Sequence, residues 1–131
     1  MAMHFIKITW LEGFVEDNTL KFQIKKEVSE VRGDSISDLL GSSYEEIYRK
    51  RNCILWTWKI KLPEWCNKKY YFELILRIRD WDYVRIGKAF SLEKAKEFHD
   101  KAVKTALKDA IKMFDWYRVG KAHDLFREEE Y

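Results

Sequence analysis

Apolar side chains recur at every second position through most of the first ninety residues, and at helical spacing from Ser91 onward. A period of two belongs to strands and one of 3.6 to helices, so the change confines the chain to a sheet followed by a helix. His4, Ile6, Ile8 and Trp10 alternate with Phe5, Lys7 and Thr9, and Leu20, Phe22, Ile24 and Val28 with Lys21, Gln23, Lys25 and Glu27. Glu16-Asp17-Asn18 supplies the polar turn between these two strands. Ile54, Trp56, Trp58, Ile60 and Leu62 then oppose Leu55, Thr57, Lys59 and Lys61 until Pro63, the only proline, stops the run. Tyr70, Phe72, Leu74, Leu76 and Ile78 oppose Tyr71, Glu73, Ile75, Arg77 and Arg79, and residues 81–88 read as a short edge strand.

Residues 32–52 break the alternation with Gly33, Gly41 and a set of serines and aspartates. Ser43 with Glu46 three residues on makes a capping box, which predicts a short helix from Tyr44 to about Lys50. So long an excursion is expected to be functional or mobile. Ser91 is the expected N-cap of a helix that runs without Gly or Pro to Gly120. Leu92, Ala95, Ala102, Ala106, Ala110, Met113 and Tyr117 share its apolar stripe, while Lys94, Lys101, Lys104, Lys108 and Lys112 share another arc. The fold class expected is α+β: an antiparallel sheet with a long C-terminal helix over one face and a short helix in the excursion.

Length and composition exclude several classes. The 131 residues fit one domain, read as 1–121, with an acidic tail at 122–131. No uncharged stretch is long enough for a membrane helix, and Lys7 interrupts the N-terminal apolar run, so neither a membrane span nor a secretory signal is expected. Two cysteines, Cys53 and Cys66, suit a reducing cytoplasm. Seventeen Lys and thirteen Glu against one Gln and three Asn point to a hot habitat. Residues 1–121 carry a formal charge of +6 and the last ten carry −3.

No constellation amounts to catalysis, a cofactor site or a metal site. The glycines stand apart, and His4, His99 and His123 form no ligand pair. His99 lies on the apolar side of the long helix and reads as a packed core histidine. Asp80 and Asp82 flank Trp81 at strand spacing, where two carboxylates could share a metal, but they read rather as a turn or solvated edge. The stronger pattern is basic and aromatic side chains on one sheet face. If Leu20, Phe22, Trp56, Trp58, Phe72 and Leu74 pack under the helix, parity turns Lys21, Lys25, Lys59, Lys61, Arg77 and Arg79 outward, with Tyr71, Gln23 and Thr57 among them. Lys68, Lys69, Arg85, Lys88 and the cluster Arg49-Lys50-Arg51 lie nearby in sequence. Cations that follow phosphates and rings that stack on bases are the chemistry of single-stranded nucleic acid.

Residues 52–88, NCILWTWKIKLPEWCNKKYYFELILRIRDWDYVRIGK, and the helix SLEKAKEFHDKAVKTALKDAIKMFDWYRV resemble the small single-stranded-DNA-binding proteins of rudiviruses, rod-shaped viruses of hot-acid archaea. The resemblance spans essentially the whole chain and lies in overall text and size. It implies a non-OB fold, binding of single-stranded DNA without sequence preference, a homodimer, and a part in viral DNA replication in the host cytoplasm. A second, local likeness is to recombination proteins that anneal single strands, through Ser91-Leu92-Glu93-Lys94-Ala95-Lys96, Lys101-Ala102-Val103 and Ala106-Leu107-Lys108. The block spacing departs from that family, and Asp115 stands where it has glycine. A viral protein-interaction module that binds no nucleic acid is the third class. The homodimer is expected to form through the apolar side of the long helix and its neighbouring strands, and the acidic tail is expected to be unstructured and solvated, the alternatives being that it occupies the protein's own basic surface or recruits a protein partner.

Overall fold

Asp17 and Asn18 both sit at positive φ, 51° and 62°, the conformation of the tight two-residue turn whose twist matches that of its flanking strands. In the computed structural model, which describes residues 2–78, 83–119 and 124–129, two long strands leave this turn, β1 (Met3–Glu16) and β2 (Thr19–Gly33). Two short helices follow, α1 (Ile36–Leu40) and α2 (Tyr44–Ile47). The strands β3 (Cys53–Lys61), β4 (Tyr70–Ile78) and β5 (Tyr83–Ala89) complete an antiparallel meander. Helices α3 (Leu92–Lys108) and α4 (Ala110–Val119) come next, and β6 (Phe126–Arg127) adds to β5 in parallel. The sheet order is β2-β1-β3-β4-β5-β6, so the fold is α+β with the C-terminal helix α3 on an open sheet. Among the described residues no helix is long and apolar enough to cross a membrane.

Helix α3 starts where Ser91 accepts a hydrogen bond from the Lys94 amide at 3.2 Å. Its Ala95, Ala102 and Ala106 are at most 2% exposed, packed with Leu55, Leu74, Leu76 and Ile86 of the sheet. The alanines of the stripe are therefore packed against the sheet of their own chain, while Leu92, from the same stripe, is exposed. The C-terminal helix is not continuous. Asp109, at φ −143° and ψ 76°, ends α3, and its carboxylate accepts from the Lys112 amide at 3.4 Å to begin α4. A short acidic side chain that competes for backbone amides breaks a helix here without Gly or Pro. The break lets α4 turn onto β2, where Phe114 stacks on Phe22 at 5.8 Å.

The expected parity of β3 is reversed. Its register sets Trp56 opposite Ile75 and Trp58 opposite Glu73, on the face away from α3, while Leu55 and Thr57 point to the helix. Cys53 to Thr57 are all buried, because the sheet is covered on both sides. A strand buried on both faces offers no polar side from which to read its orientation. The second cover is the 34–52 excursion, whose Leu40, Ile47 and Tyr48 lie over Phe5, Ile8, Trp10, Ile54, Trp56 and Ile75. Ser43 caps α2 as its spacing predicts, although the helix ends at Ile47.

The excursion closes at a point that requires glycine. A Cβ on Gly13 would lie 1.9 Å from the Arg51 carbonyl oxygen. The Gly13 amide also donates to Asn52 Oδ1 at 3.2 Å, and the Asn52 amide donates to the Glu46 carbonyl at 3.4 Å. Gly13→Ala is expected to lower stability by about 2 kcal/mol, since backbone must shift to admit the methyl group. Urea unfolding checks it, and an unchanged midpoint would show that the closure yields without strain.

The described tail residues are not a solvated strand of chain. Asp124 Oδ1 pairs with Arg85 Nε at 2.8 Å, and Glu128 accepts from the Phe90 and Ser91 amides at 2.7 and 3.1 Å, just before α3. β5 is consequently no edge strand over Gly87 and Lys88.

Candidate nucleic-acid interface

The reversed parity separates residues that the alternation grouped together. Lys59 pairs across the ladder with Phe72 and Lys61 with Tyr70, on the α3 side, whereas Arg77 pairs with Ile54 on the other. Thr57 is not outward at all, being 1% exposed. Arg79 lies outside the described residues.

Lys59 and Lys61 open into a cleft of about 700 Å³ at the β3–β4 hairpin, which Arg32, Lys68 and Lys69 also line. Among the described residues Glu64 is the only carboxylate in the lining. None of these five cations forms an ion pair among the described residues. Lys59 Nζ sits 3.6 Å from the Tyr70 ring centroid, and Lys68 Nζ sits 4.7 Å from that of Phe90. Ammonium groups held over rings keep their charge and leave their outer side to an anion.

Several other predicted cations are already neutralised. Lys21 pairs with Glu16 at 3.5 Å, and Lys25 with Glu12 at 3.1 Å and Glu46 at 3.5 Å. The hydrogen bond to Glu12 holds the Lys25 ammonium above its ordinary pKa. Arg85 is held between Glu73 and Asp124, and Glu73 also accepts from Tyr71 at 3.1 Å and Trp58 at 3.2 Å. Arg49 and Arg51 are exposed, but Arg51 abuts Gly13, while Lys59 pairs with His4 at the far end of β1. On α3, Lys94 and Lys101 pair with Glu97.

Arg77 contributes to a different feature. Its guanidinium donates to the Tyr44 hydroxyl and lies 4.4 Å from the Tyr48 ring centroid. Phe5, Tyr44, Tyr48, Trp56, Trp58 and Tyr83 surround a groove of about 430 Å³ at the edge of the excursion. Trp56 packs edge-on against Trp58 at 5.5 Å and lies 5.9 Å from Tyr83. Met3 lines both the groove and the basic cleft, so the two adjoin. Burial pushes the Tyr48 hydroxyl up to about 12, which keeps it protonated. Arg32, Tyr44, Tyr48 and Tyr83 were not among the residues singled out from sequence. Tyr44 and Tyr48 stand four apart after the Ser43 cap, and that spacing was the available signal.

No three His, Cys, Asp or Glu side chains gather as a metal site among the described residues. Burial raises the Cys53 thiol far above its ordinary range, so it is a packing group. The class these features define is an α+β single-sheet domain with a basic cleft and an aromatic groove side by side. No protein-family model matches the chain, and neither a curated protein nor a solved structure is significantly similar to it.

Proposed function

We propose that this protein binds single-stranded DNA without strong dependence on base sequence, as a binding protein and not an enzyme. The observation that carries the reading is the adjoining of the two clefts: five cations that form no ion pair among the described residues, beside a groove lined by six aromatic residues. Phosphates would follow the cations, and unstacked bases would meet the rings at ~1–3 kcal/mol each. A duplex hides its base faces, so a single strand gains more from such a surface. The sequence resemblance adds a role in viral DNA replication or recombination in the host cytoplasm, and a homodimer. With the alanines buried, Leu92 of the same stripe and Ile111, 64% exposed, offer that dimer apolar contacts.

Titration of intrinsic Trp fluorescence with oligo-dT at several salt concentrations tests the reading. With five phosphate contacts, log K is expected to fall against log salt with a slope of roughly −3.5, and a duplex of matched length to bind more weakly. A flat salt response or equal duplex affinity rejects it. Faster pairing of complementary strands would favour the annealing reading, and no oligonucleotide binding at low salt would favour a protein-interaction module.

A further inference from the structure

Tyr48 and Trp56 line the aromatic groove and are only 4% and 2% exposed; Trp56 Nε1 has no hydrogen-bond partner among the described residues, and the Tyr48 hydroxyl meets only the Arg77 guanidinium, itself a donor, so the hydroxyl proton is left without an acceptor. A buried donor left unpaired costs roughly 1–3 kcal/mol, and two beside one cavity favour an occupant that accepts hydrogen bonds. The indole N–H can only donate, and a protonated phenol donates readily. The remaining wall selects shape. Aromatic rings on several sides suit a flat π system, and about 430 Å³ falls within the ~300–1,000 Å³ of small-molecule sites. Asp34 and Arg77 both line the groove and offset one another in charge, so its aromatic walls favour a base over a phosphate.

We propose, resting on the single-strand reading above, that the groove takes one base unstacked from the bound strand and discriminates against adenine. Thymine, cytosine and guanine each carry a carbonyl oxygen that accepts from such donors. Adenine carries none; its N1 and N7 acceptors each lie beside the amino group, which would set a donor against a donor, and its N3 lies on the edge crowded by the sugar. Tyr83, 58% exposed and packed on Trp56, is the outer wall whose outward swing admits the base edge. The basic cleft remains blind to sequence, so the bias is superposed on general binding.

The test is the affinity of wild type, Tyr48→Phe and Trp56→Phe for dT12 and dA12 at one low salt concentration, by anisotropy of labelled oligonucleotides. Wild type is expected to favour dT12 by about tenfold, the value of two modest hydrogen bonds. Each variant should narrow that ratio at least about threefold, chiefly by losing dT12 affinity. Self-stacking of dA12 is common to all three proteins, so the change in ratio reports the donors. Tyr48→Phe keeps the buried ring and deletes only a hydroxyl that meets Arg77, which keeps its bond to Tyr44, so folding is expected to be retained even if Trp56→Phe is unstable. Equal wild-type affinities, or a ratio unchanged in Tyr48→Phe, would overturn the base-reading groove and leave general binding standing. Failure of wild type to bind either oligonucleotide would overturn both.

Discussion

Lys59→Glu combined with Lys61→Glu is expected to weaken oligo-dT binding on the order of 100-fold at low salt. Both side chains enter the cleft whose only carboxylate among the described residues is Glu64, so each substitution removes an attraction and adds a repulsion where no neighbouring acid already compensates. The salt slope should become shallower by about 1.4, twice the ~0.7 of a single-strand contact. Lys104→Glu with Lys108→Glu makes the same change in net charge on the exposed side of α3. That pair is expected to weaken binding less than about threefold, because a diffuse charge change is screened over a Debye length. Comparable losses from the two pairs would place the strand on the helix. Thermal melting separates binding from folding, since neither pair lies in the core.

What could be read from the chain beforehand follows from which interactions are local. The strands, the turn at Asp17-Asn18 and the caps at Ser43 and Ser91 are set by neighbours within a few residues, and all are present. The face of β3 is set by what covers it. Residues 32–52 looked like a functional or mobile excursion because they are polar and rich in turn residues. Their few apolar side chains, Leu40, Ile47 and Tyr48, suffice to bury the second face and so erase the polar parity that the reading relied on. The break at Asp109 carries neither Gly nor Pro, and its signal is only a side chain that takes the Lys112 amide once the chain has turned.

The candidate site was legible in part for a similar reason. Lys59, Lys61, Lys68 and Lys69 are neighbours along one hairpin, so their clustering survived the error in parity. Arg85 and Lys25 did not remain available, because their partners come from elsewhere in the chain. Asp124 is thirty-nine residues beyond Arg85, and Glu46 is twenty-one beyond Lys25. A charge map drawn from strand alternation counts cations and cannot count the acids that folding brings to them. The aromatic groove was hidden in the same way, since Tyr44 and Tyr48 reach Trp56 only once the excursion folds back over the sheet.

Acid should destabilise the fold through His99. This ring is fully buried between α3 and the sheet, with Nε2 2.8 Å from the Thr9 hydroxyl and Nδ1 2.9 Å from that of Thr57. A neutral imidazole has one N–H and one lone pair, so one threonine accepts and the other donates, and both ring nitrogens are satisfied. Burial lowers the pKa to about 3, assisted by the charge of Lys7 and opposed by Asp100. The folded value lies below the ordinary 6.5, so the unfolded chain takes up a proton that the folded one refuses. The stabilisation is complete above pH 6.5 and is lost progressively as pH falls toward 3. The slope is ~1.4 kcal/mol per pH unit, on the order of 5 kcal/mol in all. His99→Gln keeps groups that can bond both threonines but cannot take the proton. Urea unfolding of the two proteins at pH 7, 5 and 4 should show wild type losing more stability than the variant by about one proton's worth per unit. Parallel losses would mean that His99 does not govern the acid limit and that the carboxylates do.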